Sequence, residues 1–217
     1  ILTAIDVYDR DIVALRVVPG AVTSREVSLL LWDIGRPNIT KAGWPFERVS
    51  WHGVPRLANI VAGPDAQVRI NPAEQIGTKA ARTPTTVVLD FGAENRSLHL
   101  MSAAARNGIG IIYCPPGAPH TKGIVEAWHN SLDAAQAALP GYKGANPLNH
   151  PRLAELGSVL TAGDLHYALW TWVLTVYRHR PHAGLFDPAN PGLESSPADI
   201  YERYLTHGGN ISFPTDP

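Results

Sequence analysis

The chain predicts an α/β fold, and three observations carry that prediction. Thr85 to Asp90 (TTVVLD) is a β-branched, apolar run that ends on its only charge, and Ile109 to Tyr113 (IGIIY) is a second short apolar run. Between them Leu98, Met101, Ala105 and their neighbours repeat at helical spacing. Strand, helix and strand in that order make a βαβ unit with a parallel pair, in which a buried first strand delivers Asp90 to its C-terminal end.

Upstream, Thr23 or Ser24 can cap a helix running through Val27, Leu30 and Leu31 to about Ile34, where Gly35 ends it. From about 35 to 84 the sequence has prolines at 37, 45, 55, 64, 72 and 84 and no sustained period, which reads as an insertion into the core. Trp44, Phe46 and Trp51 predict that part of it packs, because three large aromatics are costly to leave exposed, and Asn71 to Ala81 reads as a short helix. Downstream of the βαβ unit, Pro115, Pro116, Gly117 and Pro119 stop the strand and set up a further helix. On it Val125, Trp128 and Leu132 share one face, while Lys122, Glu126, His129, Asn130 and Asp133 share the other. A loop with Gly141, Gly144, Pro147 and Pro151 follows. Thr161 or Asp164 then starts a long helix with the stripe Leu165, Leu169, Trp172 and Val176, ending at Pro181 beside the basic cluster Arg178, His179, Arg180 and His182.

Composition suits a single domain of 217 residues, 45% hydrophobic. The longest apolar run, Ala168 to Tyr177, is half the ~20 residues that a membrane helix needs. One cysteine and no signal peptide predict a reducing, cytoplasmic compartment, and Cys114 before two prolines reads as a buried small residue. A net charge of −1 is low for a free-standing DNA binder, which places most of any DNA affinity outside this chain. Charged residues make up 17% against about 25% in average domains, which hints at further buried interfaces.

The chemistry is expected at Asp90 and Glu126, with 35 residues between them. Ligands of open α/β sheets gather at the carboxyl ends of strands, so Asp90 stands in the expected place and the following helix can swing Glu126 towards it. Two carboxylates there are oxygen ligands suited to divalent ions that cut or join phosphodiesters.

DFGAEN (90–95) followed by PPGAPHTKGIVEAWHNSL (115–132) resembles the integrase core of DDE transposases and retroviral integrases, nearest to the bacterial transposon and Mu-like transposase group. That family has D-x-G-x-E at a strand end and P-x-x-x-x-x-K-x-x-x-E on a helix. Leu2 to Val18 looks like its strand-turn-strand "IDxxSR" segment, His52 to Arg56 like its "YGxP", Tyr177 to Leu185 (YRHRPHAGL) like "YNxRPHxGL", and Ser196 to Tyr201 (SPADIY) like "TPxE". The match covers about two-thirds of the chain in the family's order.

The resemblance implies an RNase H-like mixed sheet flanked by helices over residues 1–209, with 210–217 beginning a following segment. It implies a bacterial DNA transposase or integrase core that cleaves and transfers element ends, with Asp90 and Glu126 holding Mg²⁺ or Mn²⁺. DNA, both element ends and target, would be the substrate and partner, in a homo-oligomeric complex assisted by an ATPase. Lys122, His120, Arg178 and Arg180 would contact DNA. Each has a plainer reading: Lys122 as the i,i+4 partner of Glu126, His120 as a helix-start residue, and the two arginines as ties between the last helix and the core.

Two features depart from the pattern. Phe91 and Asn95 stand where the family has Asn or His and Phe, so packing under the metal site is expected to differ. The family's first aspartate aligns upstream of Ile1, so the chain reads as a fragment lacking one ligand; the other reading makes Asp6 that ligand, although Asp6 beside Tyr8, Asp9 and Arg10 is better suited to accepting turn hydrogen bonds. A catalytically silent assembly or subunit-interaction module of the same fold is the alternative function, and a metal-dependent nuclease that hydrolyses without joining is a third. Asp90-Phe91-Gly92 also spells a kinase metal motif, but no HRD loop or Gly-rich loop precedes it, and one cysteine with scattered histidines offers no zinc spacing.

Overall fold

A computed structural model describes residues 1–35, 82–115, 123–139, 142, 160–187 and 190–206. The expectations for the body of the 35–84 insertion, with its aromatics, "YGxP" match and helix, lie outside the described residues, as do Lys122, His120, the loop at 141–151 apart from residue 142, and the segment 210–217.

The described residues form a mixed α/β arrangement. Strands β1 (Leu2–Ile5) and β2 (Ile12–Arg16) pair antiparallel, with a register shift between Ala4 and Ile5. Helix α1 (Ser24–Ile34) follows, from Thr23 to Gly35 as the capping pattern predicts. Strand β3 (Thr86–Leu89), a 3₁₀ turn (Glu94–Arg96), helix α2 (Leu98–Arg106) and strand β4 (Gly110–Tyr113) make the βαβ unit, with β3 and β4 parallel and Thr86 opposite Gly110. Helices α3 (Gly123–Gln136) and α4 (Ala162–Thr175) come next. A 3₁₀ turn (Tyr177–His179), the short hairpin β5 (Phe186–Asp187) and β6 (Asn190–Glu194), and helix α5 (Pro197–Thr206) complete the order. Among the described residues there are three sheets of two strands each.

Two apolar clusters flank the β1–β2 hairpin. On one side Val13 and Ala14 meet Val27, Leu30, Leu31 and Ile34 of α1 and Leu100 and Ala104 of α2, and Val87, Leu89 and Ile111 join the same cluster. Both the hairpin and the parallel pair therefore rest on the α1–α2 layer. On the other side Ile12 and Leu15 meet Trp128 and Leu132 of α3 and Leu169, Trp170 and Val173 of α4. The Leu15 carbonyl is satisfied by side chains of α4, 2.9 Å from His166 Nε2 and 3.2 Å from the donating Trp170 Nε1. An unpaired backbone acceptor on a buried strand is thereby covered.

Several apolar faces differ from expectation. Strand β3 is buried on one face only: Val87 and Leu89 pack inward, while Val88 and, on β4, Ile112 are exposed, because helices α1 and α2 cover a single side of the pair. In α2 the buried residues are Leu100 and Ala104, whereas Leu98, Met101 and Ala105 face out. The helix is capped at Ser97, whose hydroxyl accepts from Leu100 N, and it is Leu100 and Ala104 that pack with α1. On α3 Val125 is exposed, and the buried stripe runs through Trp128, Leu132 and Ala135. Helix α4 is buried from Ala168 to Val173 around most of its circumference, and the regular helix stops at Thr175. Its start matches the reading: Thr161 and Asp164 form a reciprocal capping box.

Candidate active site

Asp90 follows β3 at its C-terminal end and is exposed. Register holds that end in place, since Cys114 N donates to the Leu89 carbonyl at 2.8 Å, and Cys114 is itself buried. The carboxylate is oriented locally. Asp90 Oδ1 accepts from Gly92 N at 3.2 Å and, in a very short contact, from the Asn95 side-chain amide. Asn95 is buried at 8% exposure, so the group that fixes Asp90 is itself fixed. The departures from the family pattern thus have separate fates: Asn95 lies beneath and holds the aspartate, while Phe91 turns outward at 52% exposure. Glu94 folds back over the same turn, where a Cβ on Gly92 would sit 2.5 Å from its carboxylate.

Glu126 lies in the first turn of α3 on the exposed face. The opposite face is anchored by Trp128, which is 1% exposed. Its indole N–H donates to Thr3 Oγ1 of β1 at 3.0 Å, and its ring packs against Tyr177 at 4.8 Å and Trp172 at 5.8 Å. A side chain two positions before this anchor points away from the core by helical geometry. Asp90 and Glu126 are both accessible oxygen donors, yet among the described residues no three His, Cys, Asp or Glu side chains gather into a metal-holding group.

A second charged cluster sits beneath the β1–β2 turn. Asp6 accepts from Tyr8 N through Oδ1 at 2.8 Å and from Arg82 Nη1 through Oδ2 at 2.7 Å, so one oxygen is engaged in the turn and the other by the arginine. Arg82 also pairs closely with Asp9 and lies 3.6 Å from Asp11. Arg178 Nε lies 3.2 Å from Asp11 Oδ2, at ion-pair distance without hydrogen-bond alignment. Both guanidinium groups stand over the Tyr201 ring of α5, at 4.6 Å for Arg82 and 5.2 Å for Arg178.

Three carboxylates against two arginines leave the cluster with an excess of negative charge. Burial raises the Asp9 carboxyl to about 6 despite the attraction of Arg82, with Asp11 and Asp6 adding to the rise. Burial likewise raises Asp11, with Arg178 and Arg82 opposing. For Arg82 burial works towards a lower value, but Asp9 and Asp6 outweigh it and the guanidinium is held above its ordinary range.

The remaining ties close the same assembly. Arg10, at a positive φ of 61°, sends its guanidinium to the carbonyls of Ala183 at 2.6 Å and Gly184 at 3.2 Å, and its own carbonyl accepts from the Tyr177 hydroxyl at 3.2 Å. Gly184 has φ 76°, a left-handed backbone conformation that favours glycine, and a Cβ there would lie 3.4 Å from Arg10 Nη2, an ordinary contact. His182 stacks edge-on to Tyr177 at 4.5 Å, and burial lowers its pKa. Ser196 and Asp199 form a reciprocal cap ahead of α5 with Pro197 at its first position, which gives the SPAD sequence a plain physical reason. Scanned against protein-family models and searched against curated proteins, the chain matches none.

Of the residues singled out by sequence, Asp90 thus stands exposed just after β3 and Glu126 exposed on α3, and Arg178 is turned inward to Asp11 and Tyr201. Arg180 is exposed with Nη2 3.5 Å from Ser131 Oγ of α3, on the side that a 410 Å³ groove shares with Asn130 and Trp172. Arg82 escaped sequence reasoning, since an arginine in an aperiodic, proline-rich stretch carries no local signal. Asn95 carried one: an amide five residues after a strand-end aspartate can reach back to it.

Proposed function

We propose that the chain is the catalytic core of a bacterial DNA transposase or integrase, an RNase H-like polynucleotidyl transferase. The observation that carries the reading is Asp90 held by a buried amide at the C-terminal end of a parallel strand. Support also comes from Glu126 on the outer face of a helix pinned by Trp128, and from the joining of three motif segments, at 6–11, 177–185 and 196–201, in one ionic and aromatic assembly.

An all-oxygen donor pair fits Mg²⁺ or Mn²⁺, and Asp90 and Glu126 are the residues that would hold it. When bound, such ions supply an activated oxygen nucleophile and stabilise the leaving oxygen. Asn95 keeps Asp90 in one orientation, lowering the reorganisation needed when substrate arrives. Arg180 offers an exposed cation to the DNA backbone beside α3, with Lys122 and His120 as further contacts, and Arg178 positions the C-terminal helix from behind. Sister subunits and an ATPase are the partners expected of the assembled complex.

The test is Mn²⁺-dependent nicking and strand transfer with DNA ends of the parent element, using the protein in its assembled form. Asp90→Asn and Glu126→Gln are each expected to abolish joining while leaving the thermal transition in place. Full strand transfer by either variant would sink the assignment, cleavage without joining would indicate a nuclease, and folding with no metal response would leave an assembly module.

A further inference from the structure

Phe91 is half exposed although it directly follows Asp90. Its ring meets Tyr113 of β4 in an edge-to-face contact, with centroids 5.6 Å apart and planes at 69°. The Arg96 guanidinium stands over one face of the ring, 4.9 Å from its centroid. Tyr113 is pinned in turn, its hydroxyl donating to the Asn95 carbonyl at 2.8 Å, and Asn95 holds Asp90. A continuous chain of contacts therefore runs from the exposed aromatic to the carboxylate. None of the ion pairs among the described residues involves Arg96, so its charge is not taken up by an acid there.

A half-exposed aromatic ring with an exposed guanidinium over one face offers π-surface to a nucleobase and a cation to the adjoining phosphate. A base paired within a duplex hides its faces in the stack, so only an unpaired or extruded base can use such a surface. We propose that Phe91 and Arg96 form a stacking platform for an unpaired nucleobase of the DNA strand whose phosphodiester lies at Asp90. The proposal rests on the polynucleotidyl transferase reading and narrows its substrate to DNA ends with frayed or single-stranded nucleotides. The platform seats the flanking nucleotide, and the pinned Tyr113–Asn95 link keeps it in register with the carboxylate.

Fluorescence anisotropy without catalytic metal tests this, with the whole chain and two short single-stranded oligodeoxynucleotides, one intact and one carrying abasic sites. Phe91→Ala is expected to weaken binding of the intact strand about 10-fold and to leave the abasic strand unchanged. Phe91→Trp should restore affinity, with its fluorescence quenched on binding. An unchanged affinity of Phe91→Ala for the intact strand, an equal loss on both probes, or a parent that binds only duplex would each overturn the proposal. Cleavage of the same strand in Mn²⁺ is read separately. Base-dependent loss without cleavage would keep the platform and remove the transferase reading, and cleavage without any dependence on Phe91 would do the reverse.

Discussion

Replacing Asp9 with Asn keeps the size of the side chain and a carbonyl acceptor for Arg82 but removes the titration. Burial holds the Asp9 carboxyl at about 6 against an ordinary 3.8. At 1.36 kcal/mol per pKa unit the shift corresponds to about 3 kcal/mol. A carboxyl whose pKa is raised on folding favours the protonated native state, so its contribution is fully present below 3.8 and is lost as pH rises through about 6. Between about pH 7.5 and pH 4.5 the parent should therefore gain roughly 2 kcal/mol relative to Asp9→Asn. For a chain of this size that is about 4–8 °C in Tm. His182, held low by burial, and Asp199, held low by the Ser196 hydroxyl, work in the opposite sense, but they are present in both proteins and cancel in the difference. Scanning calorimetry of the two proteins across that range is the assay. A Tm difference independent of pH, or one that shifts towards the variant in acid, would refute the picture of a buried, acid-rich cluster.

Arg82→Ala removes the cation shared by Asp6, Asp9 and Asp11 and should destabilise by about 3–5 kcal/mol in chemical denaturation near neutral pH, with the loss shrinking as the medium is acidified. Trp128→Ala should cost about 3–5 kcal/mol in the same measurement, whereas Trp128→Phe, which mainly forfeits the bond to Thr3, should cost less than half of that. Asn95→Ala is expected to lower metal-dependent cleavage by about 10-fold, as one misplaced Asp90 orientation per encounter would, with a stability loss of about 1–3 kcal/mol from the truncated buried amide. A variant with full cleavage activity would remove Asn95 from the positioning role.

Local pattern was enough wherever a feature depends on neighbours along the chain. The β-branched run ending at Asp90, the Thr161–Asp164 cap, the Ser24–Ile34 helix with Gly35 after it and the outward face of Glu126 all follow from periodicity, capping chemistry and turn residues along the chain. Which apolar residue faces a partner needs more than periodicity. Leu98 and Met101 have helical spacing but lie outside, because the packing of α2 on α1 selects Leu100 and Ala104 from the same turns. The inward turn of Arg178 and the convergence of Asp6, Asp9 and Asp11 on Arg82, 71 to 76 positions away, are tertiary in the same sense. A buried charge selects its partner by distance in space and by shared exclusion of water, and neither quantity is written in sequence separation.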